Sequence, residues 1–148
     1  MPRDRAPVSD AELEVLKVLW ASGPPRRSPR EGASAGGVTV RDVVAALRKQ
    51  RRRLAYNTVL TLLSRLRDKG YVAADRRDTA HLFRSVVSRE ELIGSSLAAI
   101  ADRICDGTAS PLVQALVRGQ RFSTAEIAQL RRLLNELADR ERANEGTE

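Results

Sequence analysis

A chain of 148 residues with 26 Lys plus Arg against 19 Asp plus Glu carries a formal net charge of +7. Five aromatic residues are few, so the core must come from Leu, Val, Ile and Ala, and base stacking on exposed rings, the usual hold on single-stranded nucleic acid, is disfavoured. One cysteine (Cys105), one histidine (His81) and no clustered carboxylates exclude an internal disulfide, a metal cluster and an acid–base or nucleophilic set, so neither an enzyme nor a cofactor is expected.

In chain order, Ser9-Asp10-Ala11-Glu12 reads as a capping box with Val8 and Leu13 stapled around it. The helix it opens places Leu13, Leu16, Leu19 and Trp20 on one face and ends near Ala21, and Trp20, closing an apolar stripe, reads as core. Residues 22–37, rich in Pro, Gly and Ser and without periodicity, read as a flexible insertion whose Arg26, Arg27 and Arg30 are solvated. Thr39 then caps a second helix with Asp42 at its third position, Val43, Val44 and Leu47 inward, and a basic run from Arg48 to Arg53.

Leu54-Ala55 turns the chain into a third helix with an apolar stripe at Val59, Leu62, Leu63 and Leu66. At about 100° per residue, Asn57, Thr61 and Ser64 fall on the opposite side, with Leu60 and Arg65 on the flanks. Short hydrogen-bonding side chains on an outward face have the size to reach base edges in a major groove. Lys69-Gly70 ends the helix with a cation at the negative dipole end and a residue free to adopt the left-handed cap. Two helices joined by a short turn, the second with a polar outer face, make a helix-turn-helix. Residues 71–76 and 80–86 then read as a hairpin around a polar turn at 77–79, a wing with Arg76 and Arg77 at its tip. His81, alone and without partners at ligand spacing, reads as a strand surface residue facing phosphate.

Val87, Ser88, Glu91 and Leu92 repeat the capping signature and open a helix carrying Leu92, Ile93, Leu97, Ile100 and Ile104, which stops near Asp106-Gly107. Ser110-Pro111 begins a short helix with Leu112, Val113, Leu116 and Val117, broken at Arg118-Gly119-Gln120. Ser123 and Glu126 start a last helix with Ile127, Leu130, Leu134 and Leu137 at alternating three- and four-residue spacing. About a dozen Leu, Ile and Val on three helices are too few for a comfortable independent domain, and pairing with a second copy would bury them. Charge divides the same way: residues 1–87 hold 18 cations against 9 anions, residues 88–148 hold 8 against 10. One half faces a polyanion and the other has a different task.

The expected fold is mainly α with a small β wing: a winged helix-turn-helix domain at 1–87, then a helical dimerisation domain at 88–148 with a frayed tail. The expected DNA-facing set is Thr39, Arg51, Arg52, Arg53, Ala55, Tyr56, Asn57, Thr58, Thr61, Arg65, Arg76, Arg77 and His81. The expected dimerising set is Leu97, Ile100, Ile104, Leu112, Leu116, Ile127, Leu130, Leu134 and Leu137. A homodimer binding double-stranded DNA at a dyad-symmetric operator follows. The competing readings are a winged-helix regulator that senses a small molecule and a basic architectural protein that coats DNA without choosing sites. No stretch approaches the length of a membrane span and the N-terminus lacks an apolar signal core, so a cytoplasmic protein without membrane insertion is expected.

The segments SDAELEVLKVLW, VTVRDVVAAL, LAYNTVLTLLSRLRDKGYV, SPLVQALV and FSTAEIAQLRRLLNEL, in this order across nearly the whole chain, resemble the penicillinase repressor family of the BlaI/MecI type. The run from Thr58 to Gly70 is the most specific of these. The resemblance implies a cytoplasmic homodimer that represses transcription of β-lactamase or cell-envelope stress genes, relieved when a membrane-bound sensor metalloprotease leads to cleavage within the C-terminal helices. Three departures stand out. The insertion at 22–37 is longer than the family's connection. The tail ADRERANEGTE lacks the paired-cysteine motif of copper-responsive relatives. Ala99-Ile100 occupies the place of the Asn-Phe bond cut in sensor-cleaved members.

Overall fold

The computed structural model describes residues 5–23, 37–77 and 80–147. Arg26, Arg27 and Arg30 of the expected insertion, and Asp78 and Thr79 of the expected turn, lie outside the described residues. The fold is mainly helical, with α1 (Asp10–Ala21), α2 (Val40–Lys49), α3 (Tyr56–Asp68), a hairpin of β1 (Val72–Arg77) and β2 (Ala80–Ser85), then α4 (Arg89–Ile104), α5 (Ser110–Gly119) and α6 (Thr124–Glu145). The chain divides into two compact units, residues 1–99 and 100–148, with the boundary inside α4.

In the first unit, α1 to α3 and the hairpin close one apolar core. α3 contributes the stripe its periodicity predicts: Val59, Leu62, Leu63 and Leu66 are buried. α1 contributes a wider arc than predicted, because Val15 and Val18 are buried beside Leu16 and Leu19 while Leu13 is half-buried. From α2 come Val40, Val43 and Leu47, with Val44 only partly covered. Trp20 sits at the core's rim. Its indole N–H donates to the Val87 carbonyl at 2.9 Å and to Ser85 Oγ at 3.2 Å, and the Arg89 guanidinium lies 5.3 Å from its ring centre.

The first capping box forms in half. Ser9 accepts from the Glu12 amide at 3.2 Å, but the Glu12 carboxylate is turned into the protein. Lys69 Nζ donates to Glu12 Oε1 at 2.9 Å, to Oε2 at 2.8 Å and to the Pro7 carbonyl at 2.8 Å. A buried carboxylate is tolerated when a cation meets both its oxygens, and this pair ties the start of α1 to the end of α3. Beside it, the Tyr71 hydroxyl donates to the Ala6 carbonyl at 2.7 Å. Burial pushes the Tyr71 phenol above its ordinary pKa, against the opposing pull of Arg5 and Lys69.

Two helix ends share one hydrogen-bonding pattern. After α3, Gly70 adopts φ +87°, its N–H bonds the Arg67 carbonyl at 3.0 Å, and the Tyr71 N–H bonds the Leu66 carbonyl at 2.9 Å. After α2, Arg51 adopts φ +62°, with Arg51 N–H to Arg48 O at 3.0 Å and Arg52 N–H to Leu47 O at 2.8 Å. The first is the expected glycine cap. The second puts a side-chain-bearing residue in the left-handed region, which costs roughly 1–2 kcal/mol.

The hairpin register pairs Val72 with Ser85, Ala74 with Phe83 and Arg76 with His81, and these three pairs share one face. Arg77, expected in the turn, is the last residue of β1 and pairs with Ala80. A further bridge joins Val38 to Phe83, with mutual N–H···O bonds of 2.9 and 2.8 Å, and sequence periodicity gave no sign of it. Gly37, expected to close the insertion, is instead fixed by this contact: a Cβ there would stand 2.6 Å from Leu82 Cβ.

In the C-terminal helices, starts follow the expected signals. Ser88 accepts from the Glu91 amide at 3.0 Å, α5 has Pro in its first turn, and Ser123 and Glu126 form a complete capping box. Burial is another matter. α4 buries only Ala101, and α5 and α6 bury no residue. Among the described residues no helix is long and apolar enough to cross a membrane.

Candidate nucleic-acid interface

α3 is held by its buried stripe, so its opposite side is fixed toward solvent. Asn57 and Thr61 are exposed there and Ser64 is half-buried, while Thr58 and Arg65 are exposed on one flank and Tyr56 in the first turn beside the stripe. Thr61 Oγ donates to the Asn57 carbonyl at 2.9 Å. With its proton held in the helix, the Thr61 oxygen presents lone pairs outward, suited to the amino donors of adenine or cytosine, and its methyl suits a thymine methyl. Asn57 carries a donor and an acceptor together, the pair that reads adenine. Leu60, expected on a flank, is 38% exposed and adds an apolar contact to this face.

The basic run before α3 is sorted by its partners. Arg52 lies 3.8 Å from the Glu14 carboxylate of α1. Arg53 and Ala55 line a surface hollow of about 450 Å3 together with Arg48 and Leu54. Arg48, in the last turn of α2, lies outside the expected set. Ala55 is the N-cap of α3 and offers no side-chain hydrogen bond to the first turn. Thr39 is engaged in its capping box, accepting from the Asp42 amide at 3.1 Å, which leaves its hydroxyl proton as a donor.

On the wing, Arg76 and His81 are exposed and face one another across the strands. They continue the face that carries Val72, Ala74, Phe83 and Ser85 at the base, so that face changes from core-forming to basic toward the tip. On the other face Arg84 forms an ion pair with Asp75, which neutralises one cation of the hairpin. Within the first unit, exposed cations include Arg65 and Arg67 on α3, Arg51, Arg52 and Arg53 in the turn before it, and Arg76 on the wing. Among the described residues no group of three His, Cys, Asp or Glu is placed to hold a metal ion.

The expected dimerising residues are spread over three helices. Leu97, Ile100, Ile104, Leu116, Ile127, Leu130, Leu134 and Leu137 are all exposed, and Leu112 is half-buried. Ile93, Val113, Val117 and Leu133 are exposed as well.

A family model described as Penicillinase repressor matches residues 33–136. The chain is 35% identical over 131 residues to the "Transcriptional regulator BlaI" of Mycobacterium tuberculosis, covering 88% of this chain and 84% of that protein. It is 24% identical over 135 residues to the "Penicillinase repressor" of Bacillus licheniformis, covering 91% and 94% respectively. A solved structure of the B. licheniformis BlaI monomeric form in complex with the blaP half-operator aligns with 60% of this chain and 90% of its own, at 23% identity and a TM-score of 0.41.

Proposed function

The chain belongs to the penicillinase repressor family, and from that premise we propose that it represses transcription as a homodimer on a dyad-symmetric operator in double-stranded DNA. In this reading residues 1–87 form the DNA-binding domain and residues 88–148 hold two copies together. Members of this family are transcriptional repressors and not enzymes. The observation that carries the reading is the two-sided character of α3: four buried apolar residues fix it to the core, and Asn57 and Thr61 stand exposed on the other side, with Tyr56 and Thr58 exposed at its edges. A protein that merely coats DNA needs only the cations. Short amide and hydroxyl side chains on a rigid helix serve base reading.

The regulated genes belong to the same proposal: β-lactamase or cell-envelope stress genes, with relief through a membrane-bound sensor metalloprotease. Ala99-Ile100 lies within α4, and the bond differs from the one cut in sensor-cleaved members. Release by any event that loosens the C-terminal helices is therefore favoured over cleavage at that bond.

The test uses a duplex carrying the dyad repeat upstream of the gene and an unrelated duplex. Asn57→Ala should lose about 1–3 kcal/mol on the first and little on the second, while Arg76→Gln should weaken both alike. Equal losses for Asn57→Ala on the two duplexes would remove base reading by α3.

A further inference from the structure

The turn between α2 and α3 is built differently from the turn after α3, although both use the same two hydrogen bonds. After α3 the left-handed position is Gly70 at φ +87°; after α2 it is Arg51 at φ +62°. Glycine fits such a position without strain and arginine does not. The fold itself therefore gains nothing from the arginine side chain at this point. Arg51 is exposed, and among the described residues it has no carboxylate partner.

Its neighbours along the chain offer a use for the side chain. Arg48, whose carbonyl accepts the Arg51 N–H, and Arg53 line the hollow of about 450 Å3 together with Leu54 and Ala55. Neither Arg48 nor Arg53 has an ion pair among the described residues, whereas Arg52 pairs with Glu14, Lys69 with Glu12 and Arg84 with Asp75. Three uncompensated guanidinium groups within six residues repel one another unless an anion joins them. The planar fork of arginine matches phosphate oxygens, and the apolar part of the lining suits the deoxyribose that a phosphodiester brings with it.

We infer that this turn is a seat for one backbone phosphate of duplex DNA, held by Arg48, Arg51 and Arg53, and that Arg51 keeps its left-handed backbone for this contact at the expense of fold stability. The inference rests on the DNA-binding reading above. It adds Arg48 to the interface and makes a claim of opposite sign for stability and binding at one residue.

Full-length wild type, Arg51→Gly, Arg51→Gln, Arg51→Lys and Arg48→Gln are compared by urea unfolding and by salt-dependent titration of a mixed-sequence duplex. Arg51→Gly should unfold with an equilibrium constant about fivefold smaller than wild type, because the strain is removed. The same variant should bind the duplex about eightfold more weakly at roughly 0.1 M salt, with the slope of log K against log salt reduced by about 0.9. Arg51→Gln should lose the same slope without the gain in stability, Arg51→Lys should retain the slope, and Arg48→Gln should lose about 0.9 as well. Arg51→Gly with a wild-type slope overturns the seat while leaving the DNA-binding reading intact, and no gain in stability overturns the exchange. Wild type that binds no duplex at low salt overturns both readings.

Discussion

α3 and α6 carry apolar residues at the same three- and four-residue spacing, and the two helices meet different fates. In α3, Val59, Leu63 and Leu66 are fully buried and Leu62 is nearly so. In α6, Ile127, Leu130, Leu134 and Leu137 remain 38–58% exposed. A stripe states a demand for cover; whether the demand is met depends on what else packs against it. The first unit supplies two more helices and a hairpin. Among the described residues of the second unit no such shell covers α6, and its four large apolar side chains are what the second copy in our proposal would cover.

That contrast can be broken most forcefully at the interface we propose. Leu130→Asp together with Leu134→Asp should yield a monomer by sedimentation and reduce affinity for a two-fold operator by about 10²–10⁴, because the second half-site is no longer tethered. A monomer holding the full operator at wild-type affinity would end the dimer mechanism. Next in size is a matched pair of truncations. Leu63→Ala should destabilise the fold by about 2–5 kcal/mol, whereas Leu134→Ala should stay within about 0.5 kcal/mol at concentrations where the protein is monomeric. Similar urea midpoints for the two would mean that α6 is covered after all.

A third test probes what holds α3 to α1. Glu12→Ala leaves Lys69 partly buried without its carboxylate and should cost on the order of 3 kcal/mol. Glu12→Leu with Lys69→Met should recover much of that loss in a double-mutant cycle; a loss that persists in the double variant would mean the pair is not the source. The smallest effect is a pH dependence. The Tyr71 phenol is raised by burial, so folding favours its neutral form. The stability this contributes is intact below the ordinary tyrosine range and is lost as pH rises through the raised value. Tyr71→Phe should therefore flatten the fall of the urea midpoint at strongly alkaline pH, and an unaltered fall would assign it to other groups.

Helix starts were legible because their signals are local. Ser9, Thr39, Ser88 and Ser123 each meet an amide three residues on. Contacts between distant residues were not. Glu12 looked like the third position of a capping box, and only the fold brings Lys69, 57 residues away, to its carboxylate. The Val38–Phe83 bridge involves a single residue on one side, too short to leave a period in the sequence. The left-handed backbone of Arg51 left no mark in the sequence, because such helix ends are announced by glycine and Gln50-Arg51-Arg52 contains none. For the interface, the basic clusters and the polar face of α3 could be read directly. Which cations are already spoken for, as Arg52 is by Glu14 and Arg84 by Asp75, could not.

Trp20 has a practical consequence. It is the chain's one tryptophan, and with Tyr56 and Tyr71 it accounts for every strongly absorbing side chain, all of them before residue 100. Its indole is bonded to Ser85 and Val87, where the wing returns toward α4, so its fluorescence registers the closure of that junction. Near-ultraviolet signals consequently follow the first unit alone, while far-ultraviolet ellipticity sums helices from both. Recorded together during a melt, the two probes form an optical separation built into the sequence: coincident curves mean one cooperative transition, and divergent curves mean that the C-terminal helices come apart on their own schedule.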